Sequence, residues 1–174
     1  MITIISCTNR TQSLSRIVAE YYQSLLAAHN TKAQIIDLQG LPKDFVFSAL
    51  YGNAGKNESF NVYSDQVAQG EKFVFVVPEY NGSFPGVLKA FIDGLEYPSK
   101  LADKKVALVG LSSGMQGSAL ALSHLTDILS YLGANLLGMR VKLPKVEENL
   151  KNGKVTNELY NQLLQEQIQK LITF

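Results

Sequence analysis

Two kinds of apolar segment alternate along this chain, and that alternation limits the available folds more than any other feature. Strand-length runs, β-branched or continuously apolar, lie at 2–6, 33–38, 72–77, 105–111 and 135–143. Between them apolar side chains recur at helical spacing. Leu14, Ile17, Val18, Tyr21 and Leu25 form one stripe, and Val87, Leu88, Phe91, Ile92 and Leu95 another. Leu122, Leu125, Leu129 and Leu132 form a third, and Tyr160, Leu164, Ile168 and Leu171 a last. Such stripes mark helices with one buried face, whereas short unbroken apolar runs mark strands covered on both sides. A weaker pattern predicts a further helix over 60–69. Pro85 suits a first helical position, and Gly133 a helix terminator. Residues 40–60, with Gly40, Pro42, Gly52, Asn53 and Gly55, read as an irregular loop, and 144–154 as a charged one.

Strands and helices in strict alternation imply a parallel sheet with helices on both faces. Five strands in this length predict an α/β, flavodoxin-like three-layer sandwich with strand order 2-1-3-4-5, one domain over 1–174. The 16 basic and 15 acidic residues leave a net charge of +1, so nucleic acid is not an expected partner. The single cysteine, Cys7, excludes an internal disulfide and a multi-cysteine metal site and suits a reducing compartment. No targeting segment is visible, and runs such as 73–77 fall far short of the ~18 residues of a membrane span. The expectation is a soluble cytoplasmic protein without a membrane partner.

In such sheets ligands bind beyond the carboxyl ends of the strands where the order reverses, here between strands 1 and 3. The loops at that place are 7–13, 78–84 and 112–117. The first carries Thr8, Arg10, Thr11 and Ser13, with Ser15 just inside the helix. Thr11 or Ser13 alone would be an ordinary helix cap. Four hydroxyls with an arginine at a helix N-terminus favour a phosphate. No G-x-G-x-x-G follows strand 1, and Gly52-Asn53-Ala54-Gly55-Lys56-Asn57 lacks the spacing of a nucleotide loop, so a mononucleotide is expected. The second loop sets Pro78 after a buried strand, an Asn81-Gly82 turn, then Pro85, a rigid arrangement able to face a planar ring. Tyr80 offers it an aromatic face or a hydroxyl.

The run Pro78-Glu79-Tyr80-Asn81-Gly82-Ser83-x-Pro85-Gly86-x-Leu88-Lys89-x-x-Ile92-Asp93 closely resembles the signature of the NADPH-dependent FMN reductase family, which includes chromate, quinone and azo-dye reductases. Loop one is similar to that family's G-S-x-R-x-x-S phosphate loop, with Thr8, Arg10 and Ser13 on the Ser, Arg and Ser positions. The resemblance extends from residue 1 to the last helix. It implies that Thr8, Arg10, Ser13 and Ser15 hold the FMN phosphate. Pro78, Glu79, Tyr80, Asn81 and Gly82 would line the isoalloxazine, mostly through backbone groups. The segment from Ser112 to Gly117, with Ser113 and Gly114, would border its other edge. Cys7 stands where the family usually has glycine, and Ser15 where asparagine is common.

By the same resemblance, the chain passes hydride from NADPH or NADH to bound FMN. Electrons then go to a small acceptor: a quinone, azo compound, metal oxyanion or free flavin. No catalytic side chain is implied, because the flavin carries the chemistry. A homodimer or homotetramer is implied too. Two other readings use the same sheet. A flavodoxin-type electron carrier is usually strongly acidic, unlike this chain. A low-molecular-weight phosphatase would use Cys7, but its C-x5-R-[ST] loop needs arginine where Ser13 stands. His29 and His124 lack metal-ligand spacing and read as structural or surface residues. Lys89 and Asp93 read as a helix-surface pair, and Lys104-Lys105 as a solvated strand start.

Overall fold

The computed structural model describes residues 1–174. Its strands are β1 (Ile2–Ser6), β2 (Ala33–Asp37), β3 (Lys72–Pro78), β4 (Lys105–Leu111) and β5 (Asn135–Leu143), all parallel, in the order β2-β1-β3-β4-β5. The helices are α1 (Leu14–Ala28), α2 (Phe45–Ser48), α3 (Glu58–Gln69), α4 (Gly86–Gly94), α5 (Ala119–Tyr131) and α6 (Glu158–Thr173). Successive side chains of a strand point to opposite faces, so the unbroken apolar runs supply two cores at once. Phe73, Phe75 and Val77 meet the core under α3, α4 and α5, whereas Val74 and Val76 meet the one under α1 and α6. No helix is long and apolar enough to cross a membrane.

The parallel sheet, its order and the five long helices match the expectation; several boundaries do not. Strand β2 stops at Asp37, whose carboxylate caps a 3-10 turn over Leu38–Gly40 by accepting from the Gln39 N–H at 3.1 Å. The 40–60 stretch is not simply irregular. It holds α2 and a second 3-10 turn, Tyr51–Asn53, anchored by Phe45, which stacks on Phe60 at 5.6 Å. Helix α3 begins two residues early because Asn57 Oδ1 caps it, accepting from the Phe60 N–H. Pro85 is the N-cap of α4 rather than its first residue. The charged 144–154 segment contains a small antiparallel hairpin, β6 (Leu150–Lys151) with β7 (Lys154–Val155).

The two lysines expected at a solvated strand start are tethered. Lys104 Nζ donates to Ala68 O at 3.2 Å. Lys105 Nζ donates to Phe174 O, and neighbouring Lys72 donates to Leu171 O and Ile172 O. The ammonium groups of Lys72 and Lys105 thus sit on the carbonyl-rich end of α6, where the helix dipole favours cations.

One buried polar residue escaped the sequence reading. The β4–β5 register shifts between Val106 and Leu108, which breaks the ladder there. Gln167 of α6, fully buried, donates from Nε2 to Leu108 O and Met139 O, each at 3.0 Å, and its Oε1 accepts from the Tyr22 hydroxyl. Replacing it with Leu strands those groups in an apolar layer. Gln167→Leu is expected to lower stability by about 1–3 kcal/mol, the cost of buried unpaired polar groups, measured by urea denaturation.

Candidate functional site

Strands β1, β3 and β4 end side by side, and a cleft of about 330 Å³ opens beyond them. Of the sequence-predicted residues it brings together Thr8, Arg10, Ser13, Ser15, Pro78, Glu79, Tyr80, Ser112 and Ser113. Asn81, Gly82, Gly114 and Gly117 lie outside its wall. Gln12, Leu14, Leu111, Val146 and Glu147 also line it and were not anticipated. The strand order alone could have pointed to the last two, since β5 neighbours β4 and its following loop must neighbour the 112–117 loop.

The first loop turns into α1 through Gln12, at φ +53°. Ser13 is the helix cap, accepting from the Arg16 N–H at 3.2 Å. That bond occupies a lone pair and leaves the hydroxyl proton free. Thr8, almost fully buried, accepts from the Arg10 N–H and shares a 2.8 Å hydrogen bond with the Tyr80 hydroxyl. With Tyr80 donating, Thr8 keeps its own proton for a ligand. Arg16 is spent on Glu20 and Asp37, but the exposed Arg10 forms no ion pair. An uncommitted guanidinium, free hydroxyl protons and a helix N-terminus thus converge on one end of the cleft, a donor set that suits a phosphate monoester.

At the second loop, Tyr80 and Ser83 exchange both backbone hydrogen bonds, at 2.7 and 3.0 Å. Between them Asn81 (φ +51°) and Gly82 (φ +74°) make a tight turn of left-handed residues. The N–H groups of these two residues have no intramolecular acceptor. On the far side, Ser83 Oγ and His124 Nδ1 of α5 lie 2.9 Å apart. His124 is thus a surface residue that contacts the turn from outside the cleft.

The third loop is braced from within. Ser112 Oγ donates to Gly114 O at 3.0 Å and accepts from the Gly117 N–H at 2.9 Å. Lys145 N–H and Val146 N–H bond back to Gly114 O and Ser112 O, which carries Glu147 to the cleft. Gly117 sits at φ +55°, and a Cβ there would come within 2.9 Å of the Lys142 side chain. Gly117 and the Ser112 hydroxyl are thus committed to the loop's own shape.

Residues 1–148 match the family described as NADPH-dependent FMN reductase. The chain is 30% identical to a 2-hydroxy-1,4-benzoquinone reductase of a Burkholderia species over 169 residues, 94% of this chain and 90% of that protein. It is 27% identical to an NAD(P)H-dependent FMN reductase of Pseudomonas aeruginosa, covering 79% of this chain and 75% of the relative. Its fold is that of FerB, a flavoenzyme NAD(P)H:(acceptor) oxidoreductase of Paracoccus denitrificans, at TM-score 0.81 and 24% identity, covering 99% and 94% of the two chains.

Cys7 takes no part in the cleft. It is completely buried in the core beneath α3, α4 and α5, and its thiol donates to Ile5 O at 3.2 Å. Burial pushes the thiol well above its ordinary range, so it holds its proton at neutral pH and lacks a phosphatase's nucleophilic thiolate. The native protein is expected to leave a disulfide reagent unreacted at pH 8, and the urea-unfolded chain to release one thiol equivalent. Fast labelling of native protein would contradict this burial.

Proposed function

The chain belongs to the NADPH-dependent FMN reductase family, and from that premise we propose that its carboxyl-edge cleft holds FMN. The chain is an FMN-dependent oxidoreductase with NAD(P)H as co-substrate. Its acceptor is a small molecule: a quinone, azo compound, metal oxyanion or free flavin. The 174 residues act as one domain.

The chemistry that FMN supplies is hydride uptake from a nicotinamide and electron delivery to the acceptor. The protein's part is binding and electrostatics. Arg10 forks onto the phosphate, with Thr8, Ser13 and Ser15 around it. Pro78, Glu79 and Tyr80 would line the ring, and the Asn81 and Gly82 N–H groups would be available to its electron-rich edge. Ser112, Ser113, Gly114 and Gly117 give the opposite border. No side chain is assigned as a general acid or base. The observation that carries this reading is one cleft with an uncommitted arginine at one end and two free backbone N–H donors beside the other.

A second cleft, about 380 Å³, lies across residues 9–11 from the first, with Asn9, Thr11, Lys43, Phe45 and Val87 among its lining. It gives the 40–60 segment a part in shaping access for nicotinamide or acceptor. A homodimer or homotetramer is in keeping with large side chains left in solvent, Tyr97 (95% exposed) and Tyr131 (90%). The single cysteine, which has no partner for an internal disulfide, supports a cytoplasmic location.

Arg10→Ala is expected to weaken FMN by roughly 10–100-fold and riboflavin hardly at all, since one charge-assisted contact is lost. Calorimetry with both ligands checks this, and equal weakening would remove Arg10 from the phosphate. In an anaerobic titration NADPH or NADH should bleach the FMN-loaded protein, and a quinone should restore the colour. FMN-loaded protein that neither nucleotide reduces would be a carrier instead.

A further inference from the structure

The Asn81–Gly82 turn is held by a side-chain bond at each end and by none in between. At one end the Tyr80 hydroxyl is bonded to Thr8 of the phosphate loop at 2.8 Å. At the other, Ser83 Oγ is bonded to His124 Nδ1 at 2.9 Å. The Asn81 side chain makes no hydrogen bond within the chain, and Gly82 has no side chain to make one. A turn of two left-handed residues keeps its shape through the paired Tyr80–Ser83 backbone bonds, but those bonds do not fix its tilt against the rest of the protein. The Glu79 N–H bond to Leu111 O and Phe84 against the core hold its flanks, and the two side-chain tethers act on the turn itself.

We propose that His124 is a positioning residue for the flavin: through Ser83 it sets the tilt of the Asn81–Gly82 turn, and with it the aim of the two free N–H groups. The inference rests on the FMN reading given above. Oriented N–H donors favour the form of a ring that carries more negative charge, and they act without reorganising. The tether therefore raises affinity for reduced FMN more than for oxidised FMN. His124 is exposed and belongs to neither core, so the fold does not depend on it. Whichever ring nitrogen is protonated, Nδ1 and the serine hydroxyl can pair, one donating and the other accepting.

The test compares the midpoint potential of bound flavin, the dissociation constant of oxidised FMN and the thermal midpoint in four variants. His124→Ala and Ser83→Ala should each lower the ratio of reduced to oxidised FMN affinity by roughly 3–10-fold, the size of one net hydrogen bond, with the thermal midpoint unmoved. The double variant should lose no more than either single one, because both remove the same contact. His124→Asn, whose amide places a hydrogen-bonding group near the position of Nδ1, should restore the ratio to within about twofold. An unchanged ratio in the alanine variants overturns the proposal, as do additive losses in the double variant. An asparagine variant no better than alanine also overturns it, since imidazole charge rather than the tether would then be acting. Wild-type protein that takes up no FMN would overturn the FMN reading itself. Wild-type uptake with unmoved variants overturns the tether alone.

Discussion

The parallel pairing of β1 with β3 is the constraint on which the site depends. Ser6 lies opposite Val76, and the ladder continues one step further with the Cys7 N–H bonded to Val76 O at 3.1 Å. Glu79 N–H bonds to Leu111 O in the same way on the β4 side. These bonds bring the ends of three strands to a common level, so the loops that leave them start as neighbours. Side chains 72 residues apart, Thr8 and Tyr80, then meet at 2.8 Å. The register is itself secured by burial. A slip of one residue would exchange the large Phe73 and Phe75 for the smaller Val74 and Val76 between two cores of unlike shape.

Given that frame, the polar groups of the edge divide into those used by the protein and those left over. Ser112 Oγ and Gly117 are consumed in shaping their own loop. Arg16 is consumed by Glu20 and Asp37. Arg10, the Ser13 proton and two turn N–H groups have no such partner, and between Thr8 and Tyr80 one hydroxyl proton is left over. Donors without a protein partner, at the cleft and on the turn beside it, must be met by water or a ligand, so they describe the acceptors of a ligand that reaches both. The leftovers here are cationic at one end and neutral at the other. That asymmetry suits a molecule with an anionic tail and a flat, acceptor-edged head.

Most of the fold was legible because its signals are local and repeated. The runs of β1, β3 and β4 are nearly unbroken for a physical reason, since each of these strands faces a core on both sides, and the helical stripes match the buried faces of α4, α5 and α6; in α1 the buried face is Ser15, Val18, Ala19, Tyr22 and Leu26, which shares only Val18 with the stripe read from sequence. The missed features depend on partners distant in sequence. Asp37 reads as the end of a strand only when its carboxylate is seen to cap Gln39, and Phe45 anchors α2 only through Phe60. Gln167 sits among helix residues that read as amphipathic, and nothing in the sequence marks the broken β4–β5 ladder that it mends. In the site, motif spacing found the loops but could not separate their roles. His124 is the surface residue that its spacing suggested, but its bond to Ser83, 41 positions away, could not be read from the sequence.

The three loops differ in stiffness, and this bears on how one cleft can serve two oxidation states. The 112–117 loop is fixed by its own serine, by a glycine with no room for a side chain and by two bonds from the segment after β5. The 7–13 loop is fixed by the cap of α1. Only the 80–83 turn stands clear of the sheet on side-chain tethers at its two ends. A cofactor clamped rigidly on every side would favour one charge state strongly and slow its conversion to the other. On the FMN reading, two stiff loops would keep the anionic tail in place, and the turn that would meet the changing charge is the part held by the fewest bonds. On that reading Arg10 and the α1 terminus would select the anion, and the turn would bear on the redox balance.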